Sequence, residues 1–412
     1  MHAYSKMKGT AIVRHILKPL CLALFFVALL DAVPTDGAAL VAKGFDAFYN
    51  LEYEPALEAF ESALALDPAN PELHNHVAQT LLFRELFRNG ALESEIVTGN
   101  NSFVGRANRE PPPDVESRFA TEIGEAIRLC NERLARNPRD TATMHMLAVS
   151  FGLRANYGFL VHKSWVASLR DSSRAQKLDR EVTAIDPSNY DSRLIQGAFD
   201  YIVGSLSWRM KVLGTVAGYR GDKKRGIATL EEVAEKGKDN REDAEILLCA
   251  LYRREGQPKR AIGRVLALTG RFPRNYLIRF ELAQMCGAAG LRTEAIEVMQ
   301  EIARMKQDGA PGYRRIPDEK IAYETGNLQF WFGELEGALA NLRKATASAE
   351  GMKQLDLNTG TLAFMRQGQI FDLRQQHDAA IPLYRRAMEF APEAEAAKES
   401  RKYISRPYRK SS

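Results

Sequence analysis

The chain has 412 residues, with 57 Lys plus Arg against 52 Asp plus Glu, 45% hydrophobic residues and 9% aromatic. That composition excludes a disordered or collagen-like chain, and a net charge of +5 over this length is not the strongly basic footprint of a nucleic-acid binder. At about 100 to 200 residues per domain the length allows two to four domains, unless the chain is built of repeats, which lengthen without adding separate cores.

At the N-terminus Lys6, Lys8, Arg14 and Lys18 precede an apolar run at 19–30, and the small, turn-rich Val33-Pro-Thr-Asp-Gly-Ala-Ala39 follows. This is the layout of a secretory signal peptide. The run covers 12 residues, whereas a membrane-spanning helix takes roughly 20. We therefore read 1–39 as a signal peptide, cleaved near Ala39, and expect an exported protein of the periplasm or envelope. Lys18, Pro19 and Leu20 ahead of Cys21 are not a lipobox. Beyond the signal remain Cys130, Cys249 and Cys286, an odd number without a CxxC pair; they are predicted to be small apolar packing positions rather than disulfides or metal ligands.

Along the rest of the chain a punctuation recurs: Asp67-Pro-Ala-Asn70, Asn137-Pro-Arg-Asp140, Asp186-Pro-Ser-Asn189, Phe272-Pro-Arg-Asn275 and Ala391-Pro-Glu393. Each Pro has an alanine at the same distance before it, namely Ala56, Ala126, Ala175, Ala261 and Ala380. Four residues after that alanine, most units place an apolar or aromatic residue: Phe60, Cys130, Val265 and Tyr384. The offsets describe one face of a helix that runs into a helix-breaking Pro turn.

These residues resemble the tetratricopeptide repeat, a helix-turn-helix unit of about 34 residues. Residues 37–70 carry the family's five marks as Gly44, Ala56, Phe60, Ala63 and Pro68, and residues 361–394 carry them as Gly368, Ala380, Tyr384, Ala387 and Pro392. Partial matches fall at 242–275, 276–309 and 319–352. The resemblance implies an all-α, TPR-type helix-turn-helix solenoid, a right-handed superhelix with two enlarged central units, whose concave surface binds a peptide or protein. The expected organisation is helices at 40–88, a loop or linker at 89–118, a solenoid at 119–394, and a capping helix with a basic tail at 395–412.

Departures from the pattern are local. The 89–118 stretch holds Asn89-Gly90, a sequon at Asn100-Asn-Ser102 and Pro111-Pro-Pro113 with few apolar residues, so stacking is expected to pause there. Insertions are expected at about 154–170, with Tyr157-Gly-Phe-Leu-Val161 and Trp165, and at 202–225, with Trp208, Met210 and the cations Arg220, Lys223, Lys224 and Arg225. The second insertion reads either as helices packed across the solenoid or as an apolar and basic surface that docks on a membrane or partner. Its Gly218-Tyr-Arg-Gly-Asp222 turn is similar to the central segment of the tetratricopeptide repeat protein 39 family, which supports the topology. Arg401, Lys402, Arg406, Arg409 and Lys410 form a tail expected to be solvated and frayed.

Motifs for phosphate-binding loops, zinc proteases and serine hydrolases are absent from the sequence. His74 and His76 point about 200° apart on a helix and cannot chelate one ion. His145, between two methionines, is expected to be structural. No catalytic residue, cofactor or metal is predicted. We expect a non-enzymatic scaffold that binds an unknown protein or peptide, not nucleic acid, with a membrane-docking module as the alternative. Candidate partner-facing residues, assigned from first-helix register, are Arg253, Arg254, Arg279 and Asn327.

Overall fold

The computed structural model describes residues 36–92, 111–162, 164–206, 221–347, 351 and 357–410. The signal segment up to residue 35, the sequon, and Trp208, Met210 and Arg220 lie outside the described residues. Within them all regular structure is helical, in helix-turn-helix pairs followed by a terminal helix: α1 (Asp36–Tyr49) with α2 (Tyr53–Leu66), α3 (Pro71–Arg88) with α4 (Pro113–Arg136), α5 (Thr141–Leu160) with α6 (Trp165–Ile185), and α7 (Arg193–Ser205) with α8 (Lys223–Lys236). Then come α9 (Arg241–Arg254) with α10 (Pro258–Arg271), α11 (Tyr276–Ala288) with α12 (Arg292–Gln307), α13 (Asp318–Trp331) with α14 (Leu335–Ala345), α15 (Leu357–Leu373) with α16 (His377–Phe390), and finally α17 (Glu395–Ser405). Each helix packs on its neighbours in the chain, as a solenoid of nearest-neighbour units requires.

The punctuation now has a mechanism. Pro ends the helical run, and the residue two places on caps the next first helix: Asn70 accepts from Glu72 N at 3.1 Å, Asp140 from Thr143 N at 3.2 Å, and Asn275 from Leu277 N at 3.0 Å. The alanines at the shared offset, Ala56, Ala126, Ala175, Ala261 and Ala380, are all fully buried. A Cβ at Gly44 would come within 2.5 Å of the Phe60 ring, and one at Gly368 within 2.6 Å of Tyr384, so the small residue of the first helix admits the large residue of the second. In the fourth pair Gly226 stands in the alanine's place, and a Cβ there would lie 2.6 Å from Tyr201 N. In five of the pairs the short turn holds one left-handed residue, supplied by Gly256, Gly290 and Gly333 but by Leu51 and Gln375 in the first and last pairs.

Three expectations are corrected. The surplus residues between Pro138 and Pro187 do not form an insertion at 154–170; they lengthen both members of the pair, α5 to 20 residues and α6 to 21. The 89–118 pause ends early, because Pro113 occupies the first position of α4, whose stripe of Val115, Phe119, Ile123 and Ala126 is buried. The basic tail does not fray either: its residues 406–410 fold back onto α13 and α15, described below.

The contact that most shapes this body joins its beginning to its middle. The Tyr49 ring stacks on Phe272 at 4.9 Å, and its hydroxyl donates to Asp243 Oδ1 at 3.1 Å. Asn275 Nδ2 donates to the Tyr49 carbonyl at 2.7 Å, Arg274 N donates to Asn50 Oδ1 at 2.9 Å, and the Arg274 guanidinium bonds Glu52 at 3.0 Å and Asp46 at 2.6 Å. Aromatic contacts continue inward through Phe45, Phe48, Phe60 and Phe83. One buried apolar cluster therefore runs from Ala47 to Leu328, while the last two pairs have clusters of their own.

Replacing Asn275 by Ala removes the α11 cap and leaves the buried Tyr49 carbonyl without its donor, an expected cost of about 2–4 kcal/mol. Urea denaturation checks this; a loss under about 0.5 kcal/mol would mean the closure contributes little. A second outcome concerns pH. His76 lies between Phe45 (4.8 Å) and Phe60 (5.1 Å), and burial pushes its pKa from 6.5 down to about 4. The unfolded chain then takes up a proton that the folded chain refuses, so this site's stability is present above pH 6.5 and lost as pH falls toward 4. Asp179 and Asp243, pushed up by burial to about 6, act in the opposite sense, so the comparison is between variants. The stability of His76→Leu should fall less than wild type between pH 7 and pH 4, and parallel curves would refute the assignment.

Candidate functional site

On the first-helix side of the C-terminal half, polar side chains bridge consecutive first helices. Arg253 of α9 pairs with Glu281 of α11 at 3.0 Å and bonds Gln284 of the same helix. Gln284 donates to Glu324 of α13 at 2.8 Å, and the buried Lys320 pairs with Glu324 at 3.0 Å and donates to Thr359 of α15 at 3.3 Å. Arg366 of α15 donates from Nε to Asn327 Oδ1 at 3.2 Å, and its guanidinium lies 4.8 Å from the Phe330 ring centroid and 4.7 Å from that of Trp331. The result is a ladder across α9, α11, α13 and α15.

The sequence-derived candidates divide on this ladder. Arg253 and Asn327 belong to it. Arg279 does not: it pairs with Glu301 of α12 at 2.7 Å and lies beside the buried Tyr313, because its position near the start of α11 turns it toward the second helix of its own pair. Arg254 is exposed and lies 5.9 Å from the Tyr201 ring centroid. The sequence pattern missed Gln284, Glu324 and Arg366, since an isolated Gln, Glu or Arg at a helical position looks like a solvated surface residue.

Of the basic residues of the central insertion, Lys223, Lys224 and Arg225 are described, and two of the three are taken up by the fold. Lys223 donates to Glu255 at 2.6 Å, and Tyr201 OH donates to the same oxygen at 2.7 Å. Arg225 makes a two-pronged pair with Asp200 at 2.7 and 2.9 Å. Lys224 is exposed. Asp222 caps α8 by accepting from Arg225 N at 3.0 Å. The expectation of a free cationic patch is thus corrected for Lys223 and Arg225, whose partners stand on the preceding and following first helices.

Between the sixth and seventh pairs lies a groove of about 630 Å³. Met299 and Ile321 line it among apolar residues, Gln329 and Asn341 among polar ones, and Lys306 pairs with Asp318 at 2.6 Å at its wall. It follows the 308–317 connection, where the usual Pro-x-Asn punctuation is missing.

The titratable groups sit in structural pairs. His145 Nδ1 lies 2.8 Å from Asp179, which burial raises to about 6. Burial works against the charged imidazole of His145, but Asp179, Asp191 and Glu72 outweigh it and hold its pKa above the ordinary value. Cys130, Cys249 and Cys286 are buried, and burial raises their thiols. Among the described residues no group of three or more His, Cys, Asp or Glu is placed to hold a metal ion.

Residues 251–310, from the end of α9 through α12, match the tetratricopeptide repeat family. Among solved structures, the chain is similar to the TPR protein TTC0263 of Thermus thermophilus, with 14% identity over 60% of this chain and 98% of that one (TM-score 0.33). It is also similar to yeast Tom70, with 12% identity over 90% and 88% (TM-score 0.38), and to human IFIT1 solved with PPP-AAAA, with 13% identity over 90% and 83% (TM-score 0.41). All three TM-scores are below 0.5, so the chains superpose poorly as wholes. Residues 251–310 thus match the tetratricopeptide repeat, and the same helix pair with its buried alanine recurs along the described residues.

Proposed function

We propose that the protein is an exported, non-enzymatic scaffold that holds a protein or peptide segment on the concave, first-helix side of its repeats. The observation that carries this is the ladder from Arg253 through Gln284 and Glu324 to Asn327 and Arg366. Side chains already held in place lose little entropy when a ligand arrives. Cations and carboxylates alternate along it, which suits the mixed donors and acceptors of a peptide, whereas Glu281 and Glu324 oppose a phosphate backbone. Export rests on the N-terminal sequence, and a cut near Ala39 would fall in the first turn of α1. Arg254, which is exposed, and the half-buried Arg253 are the partner-facing residues in this reading, while Asn327 is buried and holds Arg366 in place. Docking through the central insertion is less favoured, because Lys223 and Arg225 are engaged in ion pairs with Glu255 and Asp200.

A photo-crosslinking residue placed at Arg254 or Gln284 in the full chain, in its native host, should capture one defined protein or peptide. The same residue at Leu266, 58% exposed on the second helix α10, should not. Equal capture from both sides would refute a first-helix binding face. The membrane alternative has a separate requirement. Arg225→Glu sets a second carboxylate against Asp200, whose side chain is 9% exposed, but from a position 58% exposed, and is expected to cost about 1–3 kcal/mol. Lys224→Glu should stay within about 0.5 kcal/mol. Thermal denaturation separates the two, and vesicle flotation with Lys224→Glu then reads surface charge without unfolding.

A further inference from the structure

The last described residues form a feature that solenoid capping does not require. Helix α17 already covers the last pair, burying Ala396, Ala397 and Ser400. Beyond it, Arg406-Pro-Tyr-Arg-Lys410 leaves α17 with extended backbone at Arg406 (φ −138°, ψ 98°) and crosses α15 to reach the end of α13. Of these five residues only Tyr408 is partly buried; the other four are exposed. A segment that covers so little of the body contributes little to the core, yet three separate contacts hold it.

Those contacts have the character of a recognition site. The backbone N–H of Tyr408 donates to Asp372 Oδ2 at 2.7 Å. Asp372 is buried and is positioned by others: Tyr384 OH donates to Oδ2 at 2.5 Å, and His377 Nδ1 lies 2.7 Å from Oδ1 while its Nε2 faces the Ile404 carbonyl at 3.1 Å. The Tyr408 ring enters a slot between Tyr403 at 5.4 Å and Phe330 at 6.2 Å. Two residues on, Lys410 Nζ donates to the Trp331 carbonyl at 3.1 Å, at the end of α13 where the helix dipole favours a cation. Arg366 covers the Phe330 and Trp331 rings beside it. One buried acceptor for a main-chain N–H, one aromatic slot and one carbonyl for a cation specify a short extended motif.

We propose that the pocket formed by α13, α15 and α17 is a peptide-binding site for an extended aromatic-x-basic segment of a partner protein, and that the chain's own Tyr408-Arg-Lys410 occupies it until such a segment displaces it. The site adjoins the far end of the Arg253 ladder at Arg366 but uses its own acceptors, Asp372 and the Trp331 carbonyl, and does not depend on the ladder's ligand. Its resident shows the partner's chemistry directly: an aromatic residue, a main-chain N–H at that residue, and a lysine two places later.

The test uses the full chain and a fluorescein-labelled peptide of sequence Ser-Arg-Pro-Tyr-Arg-Lys, followed by fluorescence anisotropy. Tyr408→Ala vacates the slot from the exposed side and leaves Asp372, Phe330 and Tyr403 in place. The peptide should bind this variant about ten-fold or more tighter than wild type, in which the tail competes for the site. Phe in place of the peptide's Tyr should be tolerated, whereas Ala there, or Glu in place of its Lys, should abolish binding. Adding Phe330→Ala to Tyr408→Ala should also abolish it, with circular dichroism confirming that the helices remain; if that variant unfolds, the Ala and Glu peptides still decide the question. Equal binding to wild type and Tyr408→Ala, or no binding to a folded Tyr408→Ala, would overturn the proposal and leave the tail a structural cap. A wild-type dimer by light scattering that Tyr408→Ala converts to monomer would also overturn it, showing that the slot takes a second copy's tail.

Discussion

The side chain of Asn275 does two things at once. Its oxygen caps α11 and its nitrogen donates to the Tyr49 carbonyl, so a local helix start and a contact more than 200 residues distant in sequence depend on one amide. Around it Arg274 reaches Asp46 and Glu52, and Tyr49 lies on Phe272. Without this closure the chain would be a string of pairs, each stabilised only by its neighbours. With it, one apolar cluster runs from Ala47 to Leu328. The groove beside Met299 and Ile321 opens where that cluster gives way to those of the last two pairs.

The closure also engages the aromatic side chains of the first pairs. The aromatic residues of the first pairs, Phe45, Phe48 and Phe83, are turned into contacts with one another and are not displayed. In the C-terminal half the first helices carry the polar ladder and the slot that holds Tyr408. Cations follow the same logic. A near-balanced total charge hides the fact that Lys223, Arg225, Arg253 and Arg274 each hold two elements together. Such pairs fix orientation more than they add stability, and removing one member leaves a poorly solvated partner behind.

Much of the unit was legible in the sequence because its rules act within one repeat. An alanine or glycine where two helices touch, an aromatic residue four places later, and Pro followed by a capping Asn each have a cause within about 34 residues. The same local logic extended to the three buried cysteines. It misjudged the long third pair, because surplus residues in a helical sequence can lengthen helices instead of interrupting them. It misplaced Arg279 because a one-position error in register, about 100° around a helix, moves a side chain from the groove to the neighbouring helix.

The sequence by itself therefore determined the helix pair, its count of punctuations and its small-residue seam, which depend on contacts between residues close in the chain. Tertiary structure decided the closure of Tyr49 on Asn275, the use of Lys223 and Arg225 as internal ties, and the docking of Tyr408 beside Asp372. These depend on the small rotation from each pair to the next, summed over several pairs. No single repeat contains that sum, and so no motif in the sequence could announce which distant residues would meet.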